Sequence, residues 1–204
     1  MARRVVDEDM RRYYDRRAHE YDDWWLGRGL FAGRPRPGWS EEVDELISVV
    51  GALPPARTLD VACGTGLLTR HLPGEVVALD QSEAMVAVAA ERMPDVRVLQ
   101  GDAVPLPFGD GEFERVFTSH FYGHLLPEER APFLEEARRV AHELVVVDSA
   151  LREDVPPEEH QQRVLNDGSR HTVYKRFFAP DVLAEELGGA TVLHGGRWFV
   201  AVAA

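Results

Sequence analysis

The sequence contains a single cysteine, Cys63. One thiol cannot close an internal disulfide, so the chain makes no demand for an oxidising compartment, and a cytoplasmic setting is expected. No uninterrupted apolar run nears the roughly 20 residues that cross a bilayer, so no membrane partner is expected. Met1 to Met10 is charged and lacks the apolar centre of a signal peptide. Cations are in the minority: 23 Lys and Arg against 35 Asp and Glu leave a net charge of −12. Nucleic acid is therefore not an expected partner, because phosphate attraction needs clustered Lys and Arg. The arginines near the start (Arg11, Arg12, Arg16, Arg17) are interleaved with acids and read as a solvated helix face. Repeats and low-complexity blocks are also missing.

What is present is ordinary for a globular chain: 45% apolar and 28% charged residues over 204 positions, a length that suits one domain with a sizeable core. Residues 5–20 read as a helix, with Val6, Met10, Tyr13, Tyr14, Arg17 and Ala18 at helical spacing. Gly27 to Gly38 is rich in Gly and Pro and reads as a loop. A second helix is expected from a Ser40 cap, with Glu41 and Glu42 in its first turn, to about Leu53 before Pro54-Pro55.

From there strands and helices alternate. Thr58 to Ala62 predicts a first strand, followed by the Gly64-Thr65-Gly66 turn and a helix through Leu67, Leu68 and His71. Glu75 to Asp80 predicts a second strand, and Ser82 caps a helix ending near Met93-Pro94. Val96, Val98 and Leu99 mark a third strand, Phe113 to Thr118 a fourth, Glu129 to Val140 a helix and Leu144 to Val147 a fifth strand. Strands apolar on both faces, alternating with helices, imply a parallel sheet covered on two sides. A helix over Pro180 to Leu187 precedes two β-like runs, Ala190 to Leu193 and Trp198 to Val202, separated by His194 to Arg197. This spacing predicts an antiparallel hairpin on the sheet edge.

In such a sheet a ligand lies outside the carboxyl ends of the strands. The first strand ends in Asp60 and the Gly64-Thr65-Gly66 turn, which lets backbone approach a ligand without a Cβ between. A helix opening after that turn would present free N–H groups to an anion. The second strand ends at Asp80, where a carboxylate can accept both hydroxyls of a ribose. The third ends in Gly101-Asp102-Ala103. Three successive rim acids form a more specific pattern than any one of them.

Four segments, LDVACGTG (59–66), VVALDQSEAM (76–85), GDAVPLPF (101–108) and FERVFTSHFYGHL (113–125), together with YYDRRAHEYD (13–22), resemble the class I S-adenosylmethionine-dependent methyltransferases. The resemblance implies an α/β fold: a Rossmann-like, doubly wound, mostly parallel seven-stranded sheet with a C-terminal antiparallel hairpin and an N-terminal helical lid. It implies a single methyltransferase domain over 1–204, with 1–53 as lid segment and 54–204 as cofactor-binding core. It implies S-adenosylmethionine as cofactor and methyl transfer to a small-molecule acceptor, by a monomer or homodimer without a metal. Residue by residue, Asp60 matches the acid that holds the methionine amino group, and Gly64 and Gly66 let the loop pass the methionine and ribose. Asp80 matches the ribose acid, with Gln81 beside the adenine and Met85 against its face. Asp102 and the Ala103 N–H match the adenine-reading positions, and Ala62 and Ser119 are assigned to the cofactor site with them. Tyr14 and Tyr21 match the aromatic pair of a YD-x-x-A-x-x-YD lid.

Each acid also has a purely structural alternative, Asp60 as a turn cap and Asp80 and Asp102 as helix-start acids. Methyl transfer is a direct displacement in which a base is needed only for a protonated nucleophile. His120, Tyr122 and His124 follow the fourth strand; His120, nearest the strand end, is the expected base, and His124 is expected to be structural. Trp24, Trp25, Tyr174, Phe177 and Phe178 form either a pocket wall or core, and Arg170, Lys175 and Arg176, near His171, either hold an acidic acceptor or, as the ordinary reading, form a solvated face. Two other functions compete. One is a non-methylating enzyme that binds S-adenosylmethionine; the other is a nicotinamide-dependent dehydrogenase, disfavoured because Thr69 stands where the third glycine of G-x-G-x-x-G belongs.

Overall fold

A computed structural model describes residues 8–204. Its main sheet comprises β1 (Thr58–Val61), β2 (Val76–Asp80), β3 (Arg97–Gln100), β4 (Arg115–Ser119), β5 (Glu143–Ser149), β8 (Thr191–Gly195) and β9 (Phe199–Ala203). The strand order is β3-β2-β1-β4-β5-β9-β8. Strands β1 to β5 pair in parallel, whereas β9 runs antiparallel to both β5 and β8. The order reverses between β1 and β4, which opens a crevice at their carboxyl ends.

Alternation along each central strand fills both faces. Leu59, Val61, Val116, Val146 and Val200 enter one core, while Phe117, Val145, Val147, Phe199 and Ala201 enter the other. Helices α5 (Pro127–Val140) and α6 (Pro180–Glu186) cover the first face through Phe133, Ala137 and Leu183. Helix α3 (Trp39–Gly51) covers the second through Leu46 and Val50, both essentially inaccessible. Each such aliphatic side chain contributes about 1.5–3 kcal/mol by leaving water. Helix α4 (Glu83–Arg92) joins β2 to β3 and is capped by Ser82, whose hydroxyl accepts from Met85 N.

Several expectations are corrected. No α-helix follows the glycine turn; a single 3-10 turn, Thr69–His71, occupies the place. Leu67, Leu68 and Leu72 are drawn into the core beneath α3, and Pro73 ends the segment before helix can propagate. Helix α3 is capped by Gly38 in the left-handed region rather than by Ser40, which lies inside the helix. Its first-turn Glu42 turns inward and accepts backbone N–H bonds from Arg197, Trp198 and Phe199, tying α3 to the β8–β9 turn. The first helix is divided into α1 (Glu8–Arg17), a 3-10 turn at Ala18–Glu20 and α2 (Asp22–Leu26); Val6 lies outside the described residues. The connection after β5 carries a second, two-stranded sheet, β6 (Glu158–Val164) with β7 (Arg170–Arg176). Among the described residues no helix is long and apolar enough to cross a membrane.

Candidate active site at the strand tips

The crevice holds a cavity of about 240 Å³. Its floor is made by Ala62 and Gly64 after β1, Asp80 and Gln81 after β2, and Ser119 and His120 after β4. Met85 from α4 closes one side, and Tyr14 and Tyr21 close it from the N-terminal helices. The sequence-based assignments at all these positions therefore fall on one cavity. Gly66 shapes the loop from behind, at φ +76° with its N–H donated to Cys63 O. Asp102 and Ala103 stand at the β3 tip, outside the lining.

Asp60 is 1% exposed. Its Oδ2 accepts from Thr69 Oγ1 at 2.6 Å, while Oδ1 is buried without a partner among the described residues. Burial pushes its carboxyl up to about 8, against the Thr69 bond and helped by nearby Asp80. A pocket of about 20 Å³, room for one water, lies beside Asp60 and shares Tyr21, Ala62 and Ser119 with the main cavity. Asp80 accepts one backbone N–H on each oxygen, from Gly64 at 2.8 Å and Ser82 at 2.9 Å. Burial raises it to about 6, opposed by those bonds. Each carboxylate oxygen keeps a second lone pair for another donor. The Gln81 Oε1 is a further buried acceptor with no partner among the described residues.

The N-terminal segment is held down by the two acids of its YD pairs. Asp15 Oδ1 accepts from Ser82 Oγ, and Asp22 accepts from Thr65 Oγ1 at 2.6 Å while pairing with Arg92 at 2.5 Å. Tyr21 thereby rests on Gly64, where a Cβ would meet its ring at 3.6 Å.

Two non-glycine residues, Ala62 and His120, adopt positive φ (60° and 53°), one after each of the adjacent strands β1 and β4. Such backbone costs about 1–3 kcal/mol and persists where surrounding structure enforces it. His120 sits among Trp24, Trp25 and Phe199, with ring centroids 5.0, 4.9 and 5.7 Å away. Its Nδ1 lies 3.4 Å from Ser149 Oγ and 3.7 Å from Asp148 Oδ1; its Nε2 is buried without a partner among the described residues. Burial lowers the imidazole to about 3, despite the pull of Asp148, so it is neutral. Asp148 is held below the ordinary carboxylate range: Lys175 and His120 outweigh the effect of burial. Its remaining bonds come from Gly123 N and Ser149 N, and its ion pair is with Lys175, the only lysine in the chain.

The other candidates separate cleanly. Tyr122 faces away and donates to Glu186 at 2.7 Å. His124 Nδ1 lies 2.6 Å from Tyr174 O, a structural bond, although the ring borders the cavity. Trp25 is core, whereas Trp24 is wall. Arg176 pairs with Glu186, and Lys175, expected on a solvated face, is 3% exposed. Arg17 is likewise buried rather than solvated. Cys63 is an unreactive thiol, its pKa raised by burial. Asp148 and Ser149 were missed in the sequence, although they end β5 on the same rim as the other site residues.

A doubly wound sheet with paired acids at the β1 and β2 tips and a capped crevice at the switch point defines a Rossmann-like domain. Residues 59–144 match the family of methyltransferase domains. Over 134 residues the chain is 37% identical to a demethylmenaquinone methyltransferase of Thermotoga maritima, covering 63% of this chain and 55% of that one. The chain spans about half, or less, of the length of the curated relatives it matches. Two solved structures superpose closely. One, a DhpI–SAM–HEP complex, is 27% identical with a TM-score of 0.79 and covers 100% of both chains. The other, a DhpI–SAH complex, is 28% identical with a TM-score of 0.74, over 96% of this chain and 94% of that one. The chain is thus similar to methyltransferase domains in sequence over residues 59–144 and in fold over nearly its whole length.

Proposed function

We propose that the protein transfers a methyl group from S-adenosylmethionine to a small-molecule acceptor by direct displacement. The observation that carries this reading is the unpartnered, buried Asp60 Oδ1 beside the cavity floored by Asp80 and closed by Tyr14 and Tyr21. These residues fit the cofactor. Asp60 suits an ammonium group, directly or through one water, and the free lone pairs of Asp80 suit two ribose hydroxyls. Gln81 and Met85 line the cavity at the adenine end, and Asp102 and Ala103 meet the adenine edge from the β3 tip in this reading. Among relatives, the DhpI complexes with SAM and SAH support the choice of cofactor. The single cysteine suits a reducing, cytoplasmic setting.

The bound cofactor supplies a methyl group activated on a sulfonium. The protein aligns the acceptor and excludes water: Trp24 and Tyr21 wall the space beside His120. His120, held neutral, offers its Nε2 lone pair to an acceptor O–H or N–H while Nδ1 faces Ser149 and Asp148. An oxygen or nitrogen that is gaining a methyl is far more acidic than the free acceptor, so a weak imidazole base suffices. The ionised Asp148 then stabilises the imidazolium.

Calorimetry with S-adenosylhomocysteine, followed by transfer of labelled methyl to a panel of small acids, phenols and amines, tests the reading. Saturable binding with methylated product and accumulating S-adenosylhomocysteine is expected. Absence of binding would overturn the assignment, and binding with another cofactor fate would move the protein to a non-methylating activity on the same fold.

A further inference from the structure

A chamber of about 30 Å³ links two larger spaces. It shares Tyr14, Tyr21, His120 and His124 with the cofactor cavity. It shares Arg17, Ser149, Arg163 and Lys175 with a cavity of about 700 Å³ that reaches the β6–β7 hairpin. Six cationic side chains line that larger cavity (Arg17, Arg34, Arg36, Arg152, Arg163 and Lys175) against three acids, Glu20, Asp154 and Glu159. In a chain of net charge −12, this local reversal of sign calls for a cause.

Among the described residues four of the six pair with no carboxylate: Arg36 donates to Trp24 O and lies over Trp39, Arg34 lies over Phe31, and the other two, Arg17 and Arg163, line the chamber itself. Lys175 is matched by Asp148, and Arg152 by Asp154 at 3.0 Å. Glu20 is used by Asn166 N and Glu159 by Gln161 Nε2. Arg17, 5% exposed, donates among the described residues to Tyr13 Oη alone, at 2.8 Å, and lies over the Tyr21 ring at 4.7 Å. Arg163 donates only to Gln161 Oε1, at 3.1 and 2.6 Å. Among the described residues neither guanidinium has a carboxylate within ion-pair distance. Arg17 is buried and Arg163 half-buried; a buried guanidinium without an anion is costly, and an arriving oxyanion would find Arg17 largely dehydrated and both forks already oriented by neutral partners.

We propose that Arg17 and Arg163 seat an anionic oxygen group of the methyl acceptor in this chamber, so that the acceptor is a small carboxylic, phosphoric or phosphonic acid. The proposal rests on the methyltransferase reading and adds the class of acceptor to it. The guanidinium forks match two oxygens of either a planar or a tetrahedral oxyanion. The chamber opens on one side to the cofactor cavity and has His120 in its wall, which places the remainder of the acceptor within reach of the transferred methyl. An ammonium acceptor is repelled by the same cations.

The test uses the whole protein saturated with S-adenosylhomocysteine, titrated by calorimetry with inorganic phosphate and, separately, with acetate at constant ionic strength. Saturable binding of at least one anion is expected. Arg163→Gln should weaken it about tenfold or more while the S-adenosylhomocysteine affinity stays level, which also reports that the variant is folded. Arg17→Lys, which keeps the charge and loses the fork, should weaken it less. Tighter binding of phosphate assigns a phosphoryl or phosphonyl acceptor; tighter binding of acetate assigns a carboxylate. If neither anion binds the wild-type complex, or Arg163→Gln leaves the affinity unchanged, the proposal falls while the methyltransferase reading stands. If S-adenosylhomocysteine itself does not bind, both fall.

Discussion

Asp15 on the first helix accepts a hydrogen bond from Ser82, the cap of the helix that follows β2, at 2.6 Å between Oδ1 and Oγ. The hydroxyl thus serves two ends at once, accepting from Met85 N while donating to the first helix. Asp15→Ala removes one of the two anchors of the N-terminal segment and leaves the cap in place. It should weaken S-adenosylhomocysteine binding by about 1–2 kcal/mol without lowering the melting temperature in proportion. Calorimetry and hydrogen exchange over residues 8–26 check this, with faster exchange expected there and not in the sheet.

Asp60 gives a pH dependence whose sign follows from its environment. Its carboxyl, raised to about 8 in the fold, holds a proton that the unfolded chain releases near the ordinary carboxylate value. The folded state therefore binds more protons across that window, and the free protein loses stability as pH rises through it. An ammonium group favours the ionised form, so binding releases a proton below about pH 8, and affinity for S-adenosylhomocysteine should climb from about pH 6 to about pH 8. One linked proton bounds the climb at about tenfold per pH unit. Asp60→Asn should flatten both trends. A flat affinity profile for the wild type would remove Asp60 from the ligand's amino group.

His120→Ala should lower kcat by about 10²–10⁴, well beyond any weakening of S-adenosylhomocysteine binding, since the ring borders both the cofactor cavity and the acceptor chamber. Pre-steady-state methyl transfer separates the chemical step from product release. An unchanged rate would mean that the acceptor's nucleophile arrives already deprotonated.

Glu42→Ala tests the fold rather than the site. Removing a buried carboxylate that accepts three backbone N–H groups at the β8–β9 turn leaves those donors unpaired. A loss of at least about 2 kcal/mol in urea unfolding is expected, with the cofactor affinity of the folded fraction retained.

The sheet was legible in the sequence because strands buried on both faces carry an unmistakable apolar signal, and the rim positions of Asp60 and Asp80 follow from it, although β1 ends at Val61 and β4 runs one residue past the expected Thr118. The β6–β7 hairpin was not, because Glu158–Val164 is polar up to its last residue and carries no apolar alternation to read. Its Asn166-Asp167-Gly168 turn was the available clue. The missing helix after Gly66 shows tertiary burial of Leu67, Leu68 and Leu72 overriding a helical pattern. Arg17 and Lys175 were misread as solvated because charge alone predicts exposure; their burial depends on Tyr21 and Asp148, distant in sequence.

The measurement closest to the central claim is the affinity of Asp80→Ala for S-adenosylhomocysteine beside that of the wild type, by calorimetry at one pH and salt concentration. With a ribose on the β2 tip, the variant should bind more weakly by about 1–3 kcal/mol, from one or two charge-assisted hydrogen bonds lost. Equal affinity of the two proteins would contradict a nucleoside held at that carboxylate.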